Sequence, residues 1–226
     1  MGQIVNTAIR VYRKNFGEFV AIAAVTLPIS IATAIVMAIV GDNGDVVASW
    51  VSAGATVFIS LIAEAAIIRA MIDIDEGTAA DFNSAFRQAL PLVGRLIATA
   101  LRVVILVLLM GITIVGIPFA IYYMVRWAFF TQAIVVEDAS FSEATNVSAK
   151  AVRGSWWRTL GILIMLGLLA GLPSAAVAVI FSSADPAAAS LASAVAGAVV
   201  LPFSAVATTL LFFDLQSRER ERVSVA

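Results

Sequence analysis

Six stretches of the chain carry almost nothing but apolar side chains: Phe19–Val40, Val46–Ile72, Leu92–Met110, Ile117–Val136, Leu160–Phe181 and Ala187–Phe213. Runs of about 20 such residues cover the hydrocarbon core of a bilayer, roughly 30 Å, as single α-helices. The breaks within successive pairs are short and hold Gly, Asn, Asp or Pro: "GDNGD" (Gly41–Asp45), "GITIVGIP" (Gly111–Pro118) and "SSADP" (Ser182–Pro186). Such residues make tight turns, so the pattern predicts three helical hairpins.

The polar remainder is patterned too. Ile4, Val5, Ala8, Ile9 and Tyr12 fall on one side of a helix preceding the first hairpin. Ahead of the second, Phe82, Ala85, Phe86, Ala89 and Leu90 share a face, with Asp81, Asn83, Ser84, Arg87 and Gln88 on the other. Ahead of the third, Ser140 and Glu143 have capping-box spacing, and Ala144, Val147, Ser148, Ala151 and Val152 oppose Glu143, Asn146, Lys150 and Arg153. Too polar to span, these segments are expected to lie as amphipathic helices in the membrane interface. The result is a threefold repeat within a single polytopic membrane domain, residues 1–226, with units at about 1–77, 78–138 and 139–216 and a short charged tail at 217–226. Arg13 precedes Pro28, and Arg158 precedes Pro173, at the same spacing, and the even-numbered spans exit through "MIDIDEG", "IVVEDAS" and "LFFDLQS". The first apolar run, about 22 residues, exceeds the roughly 7–15 of a signal-peptide core, which predicts a retained first span.

Charge adds an orientation. None of the 14 lysines and arginines lies in the three breaks. They gather at Arg10, Arg13 and Lys14; at Arg69, Arg87 and Arg95; at Lys150, Arg153 and Arg158; and at Arg218, Arg220 and Arg222, with Arg102 and Arg126 inside predicted spans. Cytoplasmic flanks collect such residues, so both termini are expected in the cytoplasm.

Composition narrows the chemistry. A chain of 226 residues that is 62% hydrophobic and 13% charged has lipid as its natural solvent, and its mean hydropathy of +1.02 says the same. A net charge of -1 argues against nucleic-acid binding, which needs a clustered cationic excess. With no Cys and no His, disulfides, thiolate nucleophiles, haem ligation, the usual zinc sites and a Ser-His-Asp triad are absent. A non-enzyme is therefore expected, with no catalytic residues, no cofactor and no metal site.

Ionisable groups inside spans are costly and are presumed paired or functional. Glu64, Arg69, Arg102 and Arg126 qualify. Counted from the cytoplasmic ends, Glu64, Arg102 and Arg126 share one depth, which suggests an intramembrane Arg–Glu–Arg cluster. Two readings of it stand: a polar pathway or head-group site for an anionic lipid, or an ion-pair network that fixes helix register. Arg69 reads as a positive-inside anchor. Pro28, Pro118, Pro173 and Pro202 read as kinks, and Gly167 with Gly171, like Ala194, Gly197 and Ala198, as close helix packing. In "VRGSWWRTL" (Val152–Leu160), Trp156 and Trp157 fit the aromatic belt, while Arg153 and Arg158 mark the cytoplasmic side. Arg158 takes the place in the third repeat that Arg13 takes in the first. These five, Arg13, Arg153, Trp156, Trp157 and Arg158, are candidate lipid head-group contacts. "GDNGD" reads as a polar turn, and the mixed-charge "DLQSRERERV" as a solvated helix end.

The segments "IPFAIYYMVRWAFFTQAIVVEDASFSEATNVSAKAVRGSWWRTLGILIM" (Ile117–Met165) and "LPFSAVATTLLFFDLQSRER" (Leu201–Arg220) carry a family look. A Pro-started span runs through an Arg-Trp pair to an acidic exit; a short helix ends in Arg-Gly-x-x-Trp; the last span closes on two aromatics and Asp-Leu. Here these are Pro118, Arg126, Trp127, Glu137, Arg153, Gly154, Trp157, Phe212, Phe213, Asp214 and Leu215, and "RKNFGEF" (Arg13–Phe19) extends the likeness. The chain resembles the membrane domain of bacterial glycerophosphoryl diester phosphodiesterases and the stand-alone YciC-like membrane proteins. The resemblance implies a bacterial cytoplasmic (inner) membrane protein without phosphodiesterase activity of its own, since the hydrolase of the fused proteins is a separate soluble domain.

The expectation is an all-α integral membrane protein with six transmembrane helices as three hairpins, each preceded by a cytoplasmic interfacial helix. Its expected role is a non-catalytic scaffold or accessory subunit that engages membrane lipids, a partner membrane protein or a second copy of itself, and no nucleic acid. A small transporter or permease for an anionic or amphipathic solute is the alternative.

Overall fold

A computed structural model describes residues 2–28, 30–32, 46–78, 81–180 and 186–225. The "GDNGD" turn and all of "SSADP" but Pro186 lie outside the described residues. Within them the chain is all-helical, with no strand: α1 (Gly2–Lys14), α2 (Phe16–Ala24), α3 (Val46–Asp75), α4 (Phe82–Ala89), a 3-10 turn (Leu90–Leu92), α5 (Val93–Gly111), α6 (Gly116–Arg126), α7 (Phe130–Glu137), α8 (Ala144–Val152), α9 (Trp156–Ile180) and α10 (Pro186–Val225). Five helical stretches are long and apolar enough to cross a membrane, and six if a bent pair, Asn6–Lys14 with Phe16–Ala32, counts as one.

That pair meets at 82°, so α1 lies nearly square to the helix it feeds. The second polar segment behaves differently. Asp81 caps α4, its side chain accepting the Ser84 N–H at 2.8 Å. Pro91 lacks the N–H for a helical bond and sits in the 3-10 segment, through which the helix runs on as one apolar rod, Phe82–Gly111. At about 45 Å this rod exceeds the bilayer core. Of the face read from sequence, Ala85 and Ala89 are buried and Phe82 and Phe86 pack beside them, but Leu90 is exposed, as are Asn83, Arg87 and Gln88 on the other side. In α8, Ala144, Ser148, Ala151 and Val152 are buried, and Asn146, Lys150 and Arg153 are exposed. The Glu143 carboxylate accepts from the Ser140 hydroxyl (2.7 Å) and N–H (3.3 Å), which holds it below the usual carboxylate range.

Burial divides the helices along their length. From Gly54 to Leu61 no residue of α3 is buried; from Ile62 to Met71 nearly all are. The core forms where that half of α3 meets α7, α8 and residues 205–215 of α10, with Phe129 stacked on Phe212 at 5.8 Å. Parts of α5 and α9 turn their apolar side chains outward: Leu101, Val104, Ile105, Leu108 and Leu109 on α5, and Ile164, Leu168, Leu169 and Leu172 on α9, are all exposed. Such faces are untenable in water and natural in lipid.

The turn between α5 and α6 has an apolar tip, with Ile112, Ile114 and Val115 more than three-quarters exposed. A Cβ on Gly116 would run into the Met110 carbonyl, so glycine closes this turn. Gly167 and Gly171 differ from their sequence reading. A Cβ at either would meet nothing within 4 Å. They thin one side of α9 without bringing a second backbone close.

Candidate functional site

The three ionisable residues expected to cluster are held apart. Glu64 meets Gln132 of α7 at 3.4 Å. Arg126 turns back one helical turn to the Tyr122 hydroxyl at 2.9 Å and packs over that ring. Arg102 is exposed on α5 and lies over the Phe141 ring, 5.6 Å from its centre. None of the three forms an ion pair among the described residues. Counting residues gives depth along a helix but not the direction a side chain faces, and here Arg102 goes to Phe141 and Arg126 to Tyr122 instead of Glu64. The segment joining α7 to α8 then runs beside the first turns of α5: Arg95 binds the Asp138 carboxylate at 2.5 Å, and the Thr99 hydroxyl reaches the Phe141 carbonyl at 3.5 Å.

Much of the collar is occupied from within. Arg158 pairs with Asp214 of α10 at 2.8 Å, and Arg218 reaches the same carboxylate at 3.0 Å. Arg153 and Gly154 present their carbonyls to Arg222, at 2.6 Å and 3.3 Å. Trp156 donates to the Tyr122 carbonyl at 3.2 Å and stacks on that ring. Trp157, 79% exposed, and Arg13, also exposed, face outward.

The helix formed by α6 and α7 is interrupted at Trp127–Phe129. Ala128 donates to Val125 and Phe130 to Trp127 across the break, which leaves over the Arg126 carbonyl and the Phe129 N–H. Ser148 takes both: its hydroxyl donates to the carbonyl at 2.9 Å and accepts the N–H at 3.1 Å. Backbone groups freed within a membrane protein need such a partner, and a serine on the neighbouring helix supplies it here.

The break starts α7, which carries Gln132 into the interior. Its amide nitrogen donates to Glu64 and, at 3.2 Å, to the Thr208 hydroxyl of α10, while its oxygen is buried without a partner. Glu64 and Thr208 are also walls of a cavity of about 730 Å³ framed by α3, α9, α10 and the helical stretch Phe16–Ala32. Thr26, Ser30, Thr56, Ser60, Ser193 and Ser204 add hydroxyls; Val57, Leu61, Val200 and Leu201 add apolar surface. Ala194 and Gly197, read from sequence as packing residues, line this space instead.

The hydroxyl protons are largely committed to the helices that carry them. Thr26 donates to the Ala23 carbonyl (2.7 Å), Ser30 to Thr26 (3.0 Å), Ser60 to Thr56 (2.8 Å) and Thr208 to Ser204 (2.9 Å). Their oxygens still offer lone pairs. Among the described residues no lysine or arginine lines the cavity. Among the described residues no three carboxylates gather as a metal cluster would require.

Sequence reasoning missed Gln132, Ser148 and the hydroxyl wall. The signal for Gln132 was present: an amide in the stretch Phe129–Val136 costs less to bury unpaired than a charge, but still about 2–7 kcal/mol, enough to require a partner.

Residues 77–215 match the model of a family described as a domain of unknown function (DUF7847). The chain belongs to this family. The match takes in Gln132, Ser148 and Thr208 but begins after Glu64. No curated protein and no solved structure matches the chain.

Proposed function

We propose that this is a non-catalytic integral membrane protein that binds and passes a small amphipathic solute through the cavity between α3 and α10. The observation that carries the reading is the cavity itself. Its volume suits a small organic molecule, and it pairs apolar walls with a few convergent polar groups, as ligand sites do. The reading includes three hairpins set in a bacterial inner membrane with both termini cytoplasmic, and α1, square to its successor, lying in the interface. It also retains the likeness to phosphodiesterase membrane domains, as a membrane part without the hydrolase. The scaffold reading drew on an arginine core and an arginine collar for lipid; with Arg158 held by Asp214, the cavity is the stronger candidate.

The chain has no cysteine, so single substitutions report cleanly. Ser60→Cys and Ala194→Cys, made separately in membrane vesicles, should react with a small polar thiol reagent, and Leu96→Cys, in the buried core, should not. Protection of positions 60 and 194 equal to that of position 96 would sink the reading.

A further inference from the structure

We propose that the cavity selects a cation, specifically a small protonated amine with an apolar body. This rests on the cavity being the working site, and three features of its wall set the charge. First, among the described residues Glu64 is the single ionisable residue of the lining, and no lysine or arginine pairs with it. A carboxylate withdrawn from water without a cationic partner is costly, and a bound cation removes that cost. Second, the hydroxyls of Thr26, Ser30 and Ser60 donate to carbonyls of their own helices, which leaves their oxygens as acceptors, and Thr208, bonded in the same way, already accepts from Gln132. Third, the amide of Gln132, the donor nearest the carboxylate, is already engaged by Glu64 and Thr208.

A carboxylate with acceptor oxygens around it fits an ammonium group, which is all donor, and disfavours a carboxylate or phosphate. The sign is opposite to that of the anionic solute expected from Arg102 and Arg126, which stand outside the cavity lining. A bare metal ion would leave most of the roughly 730 Å³ and its apolar residues without a partner. An alkyl or aryl amine uses both, its head at Glu64 and its body along Leu61 and Leu201.

The test uses the full chain in lipid nanodiscs and three probes of one size: n-butylammonium, n-butanol and butyrate. Empty nanodiscs correct for partitioning into lipid. Butylammonium should raise the thermal midpoint of the wild type in a saturable way and butyrate should not. Glu64→Gln should weaken the amine at least about tenfold, as expected for loss of a charge-assisted bond. Glu64→Asp keeps the charge and should retain part of the binding, which guards against misfolding of the neutral variant. Ala194→Trp, which fills the cavity, should abolish it. If butanol binds as well as the amine and Glu64→Gln leaves both unchanged, the charge selectivity is overturned while the cavity reading stands. If no probe binds and Ala194→Trp changes nothing, both fall.

Discussion

Ser148→Ala tests whether one hydroxyl holds the interrupted helix together. The side chain is fully buried, and so is Phe129, whose N–H it accepts. Replacement by alanine removes only one oxygen, so packing changes little. What changes is that a buried N–H and a carbonyl lose a partner together, because the hydroxyl donates to Arg126 while accepting from Phe129. An orphaned buried group costs about 1–3 kcal/mol. The carbonyl has a second route to relief, through a small shift toward the turn, so the N–H dominates and a loss of about 2 kcal/mol is expected. Reversible denaturation in mixed detergent micelles, followed by tryptophan fluorescence, reads this directly. Ser148→Thr keeps the hydroxyl and should lose less, limited to the strain of one added methyl group. If Ser148→Ala costs under about 0.5 kcal/mol, within the range of neutral substitutions, the break is held by something other than Ser148. If threonine is worse than alanine, packing rather than hydrogen bonding governs the site.

Two further outcomes follow from the geometry. Gly154 has φ +74°, and a Cβ there would strike the Arg222 guanidinium; Gly154→Ala should therefore cost about 1–3 kcal/mol, less in an Arg222→Ala background, with equal costs in both refuting the contact. Arg126 and Glu64 share no bond, so the stability losses of Arg126→Leu and Glu64→Gln should add within about 0.5 kcal/mol; partial recovery in the double variant would restore the ion-pair cluster.

The helical elements were legible in the sequence because bilayer thickness and helical rise leave one solution for a run of about 20 apolar residues. Which residues of α4 and α8 share a side was partly legible for a related reason: with a period of 3.6, Ala85 and Ala89, or Ser148 and Val152, must point the same way, whereas Leu90, read on the α4 face, is exposed. How those helices join the spans was less so. A Pro at position 91 suggests a corner, yet in a first turn it is compatible with continuation, and α4 runs on into α5. Burial added what periodicity lacks. Hydropathy does not mark where α3 changes from outward-facing to buried at Ile62, because that change depends on α7, which arrives from far along the chain.

The candidate site was nearly invisible for a physical reason that also bears on its chemistry. Charges announce themselves in an apolar span, whereas serine and threonine can return their proton to their own helix and pass as small apolar residues. A scan for charge therefore finds Glu64, which lines the cavity, along with Arg102 and Arg126, which do not, and overlooks Ser60 and Thr208, which do. The same back-bonding that hides the hydroxyls leaves their oxygens as acceptors only, and it does so on more than one helix of the wall. A cavity assembled in this way is biased toward a donor before any ligand arrives. With Glu64 on its wall and the Gln132 amide turned to the protein, the bias becomes a charge preference. The arginines outside could change the field at the cavity mouth, but they could not supply the hydrogen-bond donors an anion would need within it.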